Sequence, residues 1–332
     1  MRGSHRENST SLNSILLSAV KLITTLNSVL VTMVLSKSLD LSVYGTYVSC
    51  VSIMTVASSL SILGLTDAAN YFFNRTGNLE EKKEYINNIF FALDILGILM
   101  GLLILLFAGP ISRYYGNAEL TAFLAFVAFR PLLMNVSSVL QVLHVAIGQA
   151  RMVIIRNLAL SLSKLAIVLA VSLTTRDLRL LLFLYLLLDL LLSSLFFFSF
   201  SKQGFPVKPF RPDCRVLKTV FSFSLPMAAY IVMNSLMREM DKIMIGGFET
   251  TQKLAIYANC AKILPFDFVS ASFLTILVPI VTRLINSREY GKAKELYSLY
   301  LKIGYSVTWI LTMIALLCSR QIISFLYSDE YL

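Results

Sequence analysis

The chain has 332 residues, 57% of them hydrophobic and only 14% charged, against roughly 25% charged in soluble domains. That balance excludes a water-soluble globular fold and indicates an integral membrane protein. The net charge of +10 would suggest nucleic acid as a partner in a soluble chain, but the distribution of the basic residues gives it another meaning below. The cysteines Cys50, Cys214, Cys260 and Cys318 show neither a disulfide framework nor metal-ligand spacing, so no metal or cofactor is expected.

Nine apolar segments of 20 or more residues follow in chain order: about 14 to 38, 46 to 72, 87 to 109, 119 to 148, 152 to 173, 179 to 200, 219 to 248, 254 to 281 and 299 to 319. Each is long enough to cross a hydrocarbon layer of about 30 Å. The first follows a polar start and lacks a small-residue cleavage site, so it is an uncleaved span and not a signal peptide. Breaks fall at local punctuation such as Asp40 to Gly45, Gly109-Pro110, Gly148 to Arg151 and the Ser201 to Lys218 stretch with Gly204, Pro206, Pro209 and Pro212. With the N-terminus in the cytoplasm, seventeen basic residues fall on inside loops, Arg75, Lys82, Lys83, Arg151, Arg156, Lys202 and Arg215 among them. Six fall outside: Lys37, Arg113, Arg176, Arg179, Lys253 and Arg320. The bias places the N-terminus inside and removes the reason to invoke nucleic acid.

An internal repeat is legible. Tyr47-Val48-Ser49-Cys50 parallels Tyr257-Ala258-Asn259-Cys260 at an offset of 210, and Ile111 to Leu120 aligns with Ile323 to Leu332 at an offset of 212. Two nearly equal offsets imply two bundles of parallel orientation. The expected organisation is a cytoplasmic N-terminus (1–13), a six-helix bundle (14–200), a basic cytoplasmic linker (201–218) and a second, incomplete bundle (219–332). By the repeat, the chain stops three helices, roughly 80 residues, short of a matching second half.

The spans carry charge. Lys21, Arg130, Lys164, Arg238, Lys242 and Lys262 lie within them, as do Asp67, Asp94, Asp189, Glu239, Asp241 and Asp267. Ionisable groups at membrane depth are costly and normally face a bundle interior or a wet cavity. Arg130, Ser137, Gln141, His144 and Gly148 fall within about 60° of one another at 100° per residue, a narrow polar stripe on one helix. Asn157, Ser161 and Lys164 share a face of the next, and Lys21, Thr25 and Ser28 a face of the first. Two readings are open for these stripes, the lining of a cavity or hydrogen bonding between helices. Asp94, Asp189 and Asp241 either pair with the cations or titrate during transport. In the seventh span, Arg238, Asp241 and Lys242 are i, i+3 and i+4 neighbours and form a compensated cluster.

Leu41 to Tyr47 (LSVYGTY), Leu63-Gly64-Leu65, Leu225-Pro226, Asp241 to Ile245 (DKIMI), Tyr257 with Lys262, and the Ile323 to Tyr331 stretch together resemble the polysaccharide-exporter, Wzx-like repeat-unit flippases of the MATE-fold superfamily. The resemblance implies an all-α, two-bundle transporter fold of about nine of twelve or more helices. It implies a cargo of polyprenyl-diphosphate-linked oligosaccharide crossing the bacterial cytoplasmic membrane for O-antigen, capsule or exopolysaccharide assembly, with polysaccharide polymerase machinery as a partner. Independently of the family, an anionic diphosphate needs a compensating cation to cross hydrocarbon, for which Lys21, Arg130, Lys164, Arg238 and Lys262 are the candidates. Thr25, Ser28, Ser137, Gln141, His144, Asn157 and Ser161 are the candidate polar lining. Alternatives are an ion-coupled multidrug extruder, for which acids and aromatics would be expected in place of cations, and a membrane glycan polymerase or an inactive fragment. No outside loop exceeds about a dozen residues and no GxGxxG, HExxH, CxxC or nucleophile elbow is present, so no enzyme is expected.

Overall fold

The computed structural model describes residues 2–207, 212–261, 277 and 280–331, with side chains from Ala19 onward except that of Asp329. All regular structure among the described residues is helical: α1 Arg2–Ser38, α2 Leu41–Ile62, α3 Leu65–Arg75, α4 Leu79–Tyr114, α5 Glu119–Val127, α6 Arg130–Ala146, α7 Ala150–Thr174, α8 Leu178–Lys202, α9 Cys214–Phe248, α10 Thr251–Cys260 and α11 Tyr290–Leu326. A 3₁₀ turn, Asp329–Tyr331, follows α11. Among the described residues eight stretches are long and apolar enough to span a bilayer: the Ala19–Ser38 part of α1, then α2, α4, α5 with α6, α7, α8, α9 and α11. Most of the expected 254 to 281 segment, with Lys262, Pro265 and Asp267, lies outside the described residues.

Three helices differ from the apolar segments in ways the backbone explains. The second segment breaks at Leu63 (φ 42°) and Gly64 (φ 71°) into α2 and the short α3. Gly64 is required there, because a Cβ would stand 2.5 Å from the Ser224 carbonyl of α9 and the positive φ disfavours a side chain. The fourth segment breaks at Ala128 and Phe129, just before Pro131, whose ring and missing N–H interrupt the ladder of the preceding turn. Conversely, Gly109-Pro110, a break on sequence, lies inside α4, which runs on to Tyr114. A single proline in a long membrane helix removes one backbone bond without ending the helix.

Caps set other boundaries. Asn78, Asp177 and Asp213 each accept a hydrogen bond from the backbone N–H two residues on, opening α4, α8 and α9.

Two compact units are present, Met1–Ala255 and Ile256–Leu332. In the first, α6 packs against α2, α3, α4, α7 and α8, while α1 lies on α7 and α9 packs on α2, α3 and α4. A buried apolar cluster, including Phe72, Phe90, Leu140, Leu143, Phe196 and Phe200, joins α3, α4, α6 and α8. Close approach of α4 to the α5–α6 break is made by Gly97 and Gly101, where a Cβ would run into Leu132 and Phe129 respectively. This is the small-xxx-small spacing that lets membrane helices touch. In the second unit the Tyr327 hydroxyl donates to the Asn259 carbonyl at 3.2 Å, tying the end of α11 to α10. Large apolar side chains that remain exposed, such as Leu106, Leu173 and Trp309, suit hydrocarbon and not water.

Candidate functional site

The break before Pro131 makes Arg130 the first residue of α6, and its side chain reaches α8. Arg130 Nε donates to Asp189 Oδ2 at 3.0 Å. The other carboxylate oxygen, Oδ1, lies 3.6 Å from Lys164 Nζ of α7. The Arg130 and Asp189 side chains are 12% and 10% exposed and that of Lys164 27%, so the carboxylate is held in protein and the lysine side chain is only partly covered. Lys164 also lies over the Tyr185 ring, 5.5 Å from its centroid. Tyr185 is one turn before Asp189 on α8, is itself buried, and its hydroxyl has no hydrogen-bond partner among the described residues. Tyr47 of α2 is near enough to feel both Arg130 and Asp189.

Arg156 belongs to this neighbourhood, although its position near the start of α7 suggests a loop cation on sequence. It is half-buried, lies 5.6 Å from the Phe196 ring centroid and donates to Asn157 Oδ1 at 3.2 Å. It acts electrostatically on Asp189 and Lys164. Asn157 in turn donates to Gln141 Oε1 at 3.2 Å, joining α7 to α6. Two cations thus share one carboxylate with Arg156 near enough to act on it, and among the described residues the balance is positive.

The remaining polar residues of the α6 stripe spread over two neighbours. Ser137 and Ser193 hydroxyls share a 2.7 Å hydrogen bond between α6 and α8. His144 is fully buried, bonds the Leu140 carbonyl at 2.8 Å through Nδ1 and stacks on Phe196 at 4.0 Å between centroids. On α7, Ser161 accepts from Asn27 Nδ2 at 2.7 Å, which binds α1 to α7. Thr25 and Ser28 bond their own helix, to the carbonyls of Lys21 and Thr25, and Lys21 is exposed. The structure therefore brings together Arg130, Lys164 and Asp189 from the sequence candidates and leaves Lys21 apart on the α1 surface. Lys262 lies outside the described residues.

The α9 charges divide between two surroundings. Glu239 turns toward α2, accepting from Ser52 Oγ at 2.7 Å and from Lys242 Nζ at 2.8 Å. Arg238 is exposed, and Asp241 accepts from the Lys242 backbone N–H at 2.8 Å. Position in the helix explains the difference: Glu239 lies on the face α9 presents to α2, and Arg238 lies off it. Asp94, half-buried on α4, makes no ion pair with a described residue.

Sequence reasoning missed Asn135 and Ser52 as well as Arg156. Asn135 is 1% exposed; it donates to the Ser58 carbonyl and Ser61 Oγ and accepts from Ser58 Oγ, all between 2.6 and 3.1 Å. Its signal was available, since an amide in an apolar span needs partners. No group of three or more His, Cys, Asp or Glu among the described residues is placed to hold a metal ion.

A family profile described as polysaccharide biosynthesis protein matches residues 18–332. No curated protein matches the chain. Among solved structures, the chain resembles an inward-facing multidrug resistance MATE family transporter of the MOP superfamily (TM-score 0.67, 15% identity), covering 95% of this chain and 78% of that one. It also resembles a MATE protein in complex with MaD3S (TM-score 0.63, 14% identity), covering 96% and 74% respectively. At such identity the likeness shows a shared fold: an all-helical, multi-pass membrane architecture of MATE type.

Proposed function

The chain belongs to the polysaccharide biosynthesis protein family, and from that premise we propose that it is a flippase for polyprenyl-diphosphate-linked oligosaccharides in the bacterial cytoplasmic membrane, with its N-terminus inside. The observation that carries this reading is the positive cluster of Arg130, Lys164 and Arg156 about the single carboxylate of Asp189. Buried cations in excess of their acids favour an anionic guest, because each surplus charge in a low-dielectric site is stabilised by a counter-charge. A diphosphate supplies one; a cationic drug would be repelled. The division into two bundles at 201–218, with transport between them, is part of the same reading. Lys21, Arg238 and Lys262 are then later contacts of the moving headgroup, and Asp94 a candidate for titration in the cycle.

The test is export of surface polysaccharide from cells whose only copy carries Arg130→Ala, Lys164→Ala or both. The expected result is loss of surface glycan and accumulation of lipid-linked oligosaccharide, with normal amounts of protein in the membrane. Arg130→Lys keeps the charge without the planar fork and is expected to retain part of the export. Normal export from the double variant rejects the assignment.

A further inference from the structure

Asp189 occupies the place that an anion would take in this cluster, and we propose that its carboxylate is an internal counter-anion that the cargo's diphosphate displaces from Arg130 and Lys164. The inference rests on the reading above, that the cluster receives a diphosphate headgroup.

Asp189 uses one oxygen for each cation, Oδ2 to Arg130 Nε and Oδ1 to Lys164 Nζ, at 3.0 and 3.6 Å. It thereby bridges α6 and α7 from α8 in the way a phosphate bridges two basic groups. A carrier of lipid-linked anions must also return empty. Arg130 and Lys164 without a counter-ion at membrane depth would make the empty form costly, and Asp189 supplies that counter-ion. The charges also close when the site is loaded. Arg130, Lys164 and Arg156 bring three positive charges and Asp189 one negative, while a diphosphate diester, with one ionised oxygen per phosphate, brings about two more. The loaded cluster is therefore near neutral only if Asp189 stays ionised after it yields its place. Tyr185, a turn away on α8 with its buried hydroxyl unpartnered among the described residues, offers the displaced carboxylate a donor. No bond is made or broken; the step is an exchange of one anion for another on the same two cations.

The exchange makes binding weaker than the cations alone would allow, since the site is competent only in the fraction of molecules whose carboxylate has moved. Removing the competitor restores that fraction, and affinity rises in proportion. The experiment is titration of the detergent-solubilised full chain with inorganic pyrophosphate. Asp189→Asn is expected to bind it about tenfold or more tightly than the unaltered protein, while Arg130→Ala loses binding. Equal or weaker binding by a monodisperse Asp189→Asn protein overturns the exchange and leaves the headgroup site standing. No binding by either the unaltered protein or Asp189→Asn overturns both. Should Asp189→Asn fail to fold, infrared difference spectra of the unaltered protein carrying carbon-13 aspartate decide the matter. Pyrophosphate is expected to shift a carboxylate band that is missing from Asp189→Glu, in which the labelled group is gone. Absence of that shift at saturating pyrophosphate overturns the proposal.

Discussion

At the scale of single residues, the membrane makes polar side chains expensive unless they are satisfied, and buried ones here bond their own helix, as Ser36 and Ser49 do, or a neighbouring one. Asn135 is the clearest case, with Ser58 and Ser61 as partners on α2. Asn135→Ala takes the acceptor from Ser58 Oγ and the bridge to Ser61, whose hydroxyl still bonds its own helix, and is expected to lower stability by about 1–2 kcal/mol, read as a drop in the melting temperature of the purified protein. Because Asn135 lies one helix face away from the cluster, pyrophosphate binding at saturating folded protein should be unchanged. Ser137 and Ser161 follow the same rule, each tied to a neighbouring helix, whereas His144 bonds its own helix through Nδ1 and leaves Nε2 without a partner among the described residues. The acid-rich pocket expected of a cationic-drug site is absent around Arg130 among the described residues: only Asp189 is there, with more cations than it can neutralise.

At the scale of helices, two interruptions set the geometry. The α5–α6 break before Pro131 turns Arg130 from a mid-helix side chain into the first residue of a helix. The Leu63-Gly64 break lets α3 swing onto α9, where the glycine backbone touches the Ser224 carbonyl. Between them, Gly97 and Gly101 bring α4 against the first of these breaks. Gly97→Leu is therefore expected to push α4 from Leu132, cost about 1–3 kcal/mol by overpacking, and weaken export, with a smaller loss from Gly97→Ala, which adds only the Cβ that meets Leu132. Thermal stability and surface glycan of the two variants check it; equal behaviour would mean that α4 does not seat the Arg130 break. Glycine spacing was visible in the sequence, but its partner was not, since nothing local identifies which helix fills the notch.

At the scale of the whole molecule, hydropathy and charge bias predict orientation. In a cysteine-free background, cysteines at Lys83 and Lys202 are expected to be labelled only from the cytoplasmic side, and those at Lys37 and Arg113 only from outside. The reverse pattern would invert the topology and with it the direction of export. Exposed Cys214 must be removed first, because it would report the cytoplasmic side on its own.

The all-helical, multi-span class was legible in the composition: long apolar segments separated by short polar stretches follow from the transfer free energies of individual side chains, which act locally. The α8 carboxylate and the α6 and α7 cations were likewise marked as candidates, because an ionisable group in an apolar run stands out by itself. Their union was not. Asp189 is 59 residues from Arg130, and Arg156, counted on sequence with the inside-loop cations, is half-buried near the start of α7 and faces the Phe196 ring. Which acid answers which base, and that Glu239 turns to α2, depends on helix rotation and packing, which are set by contacts between distant segments and only the tertiary structure decides.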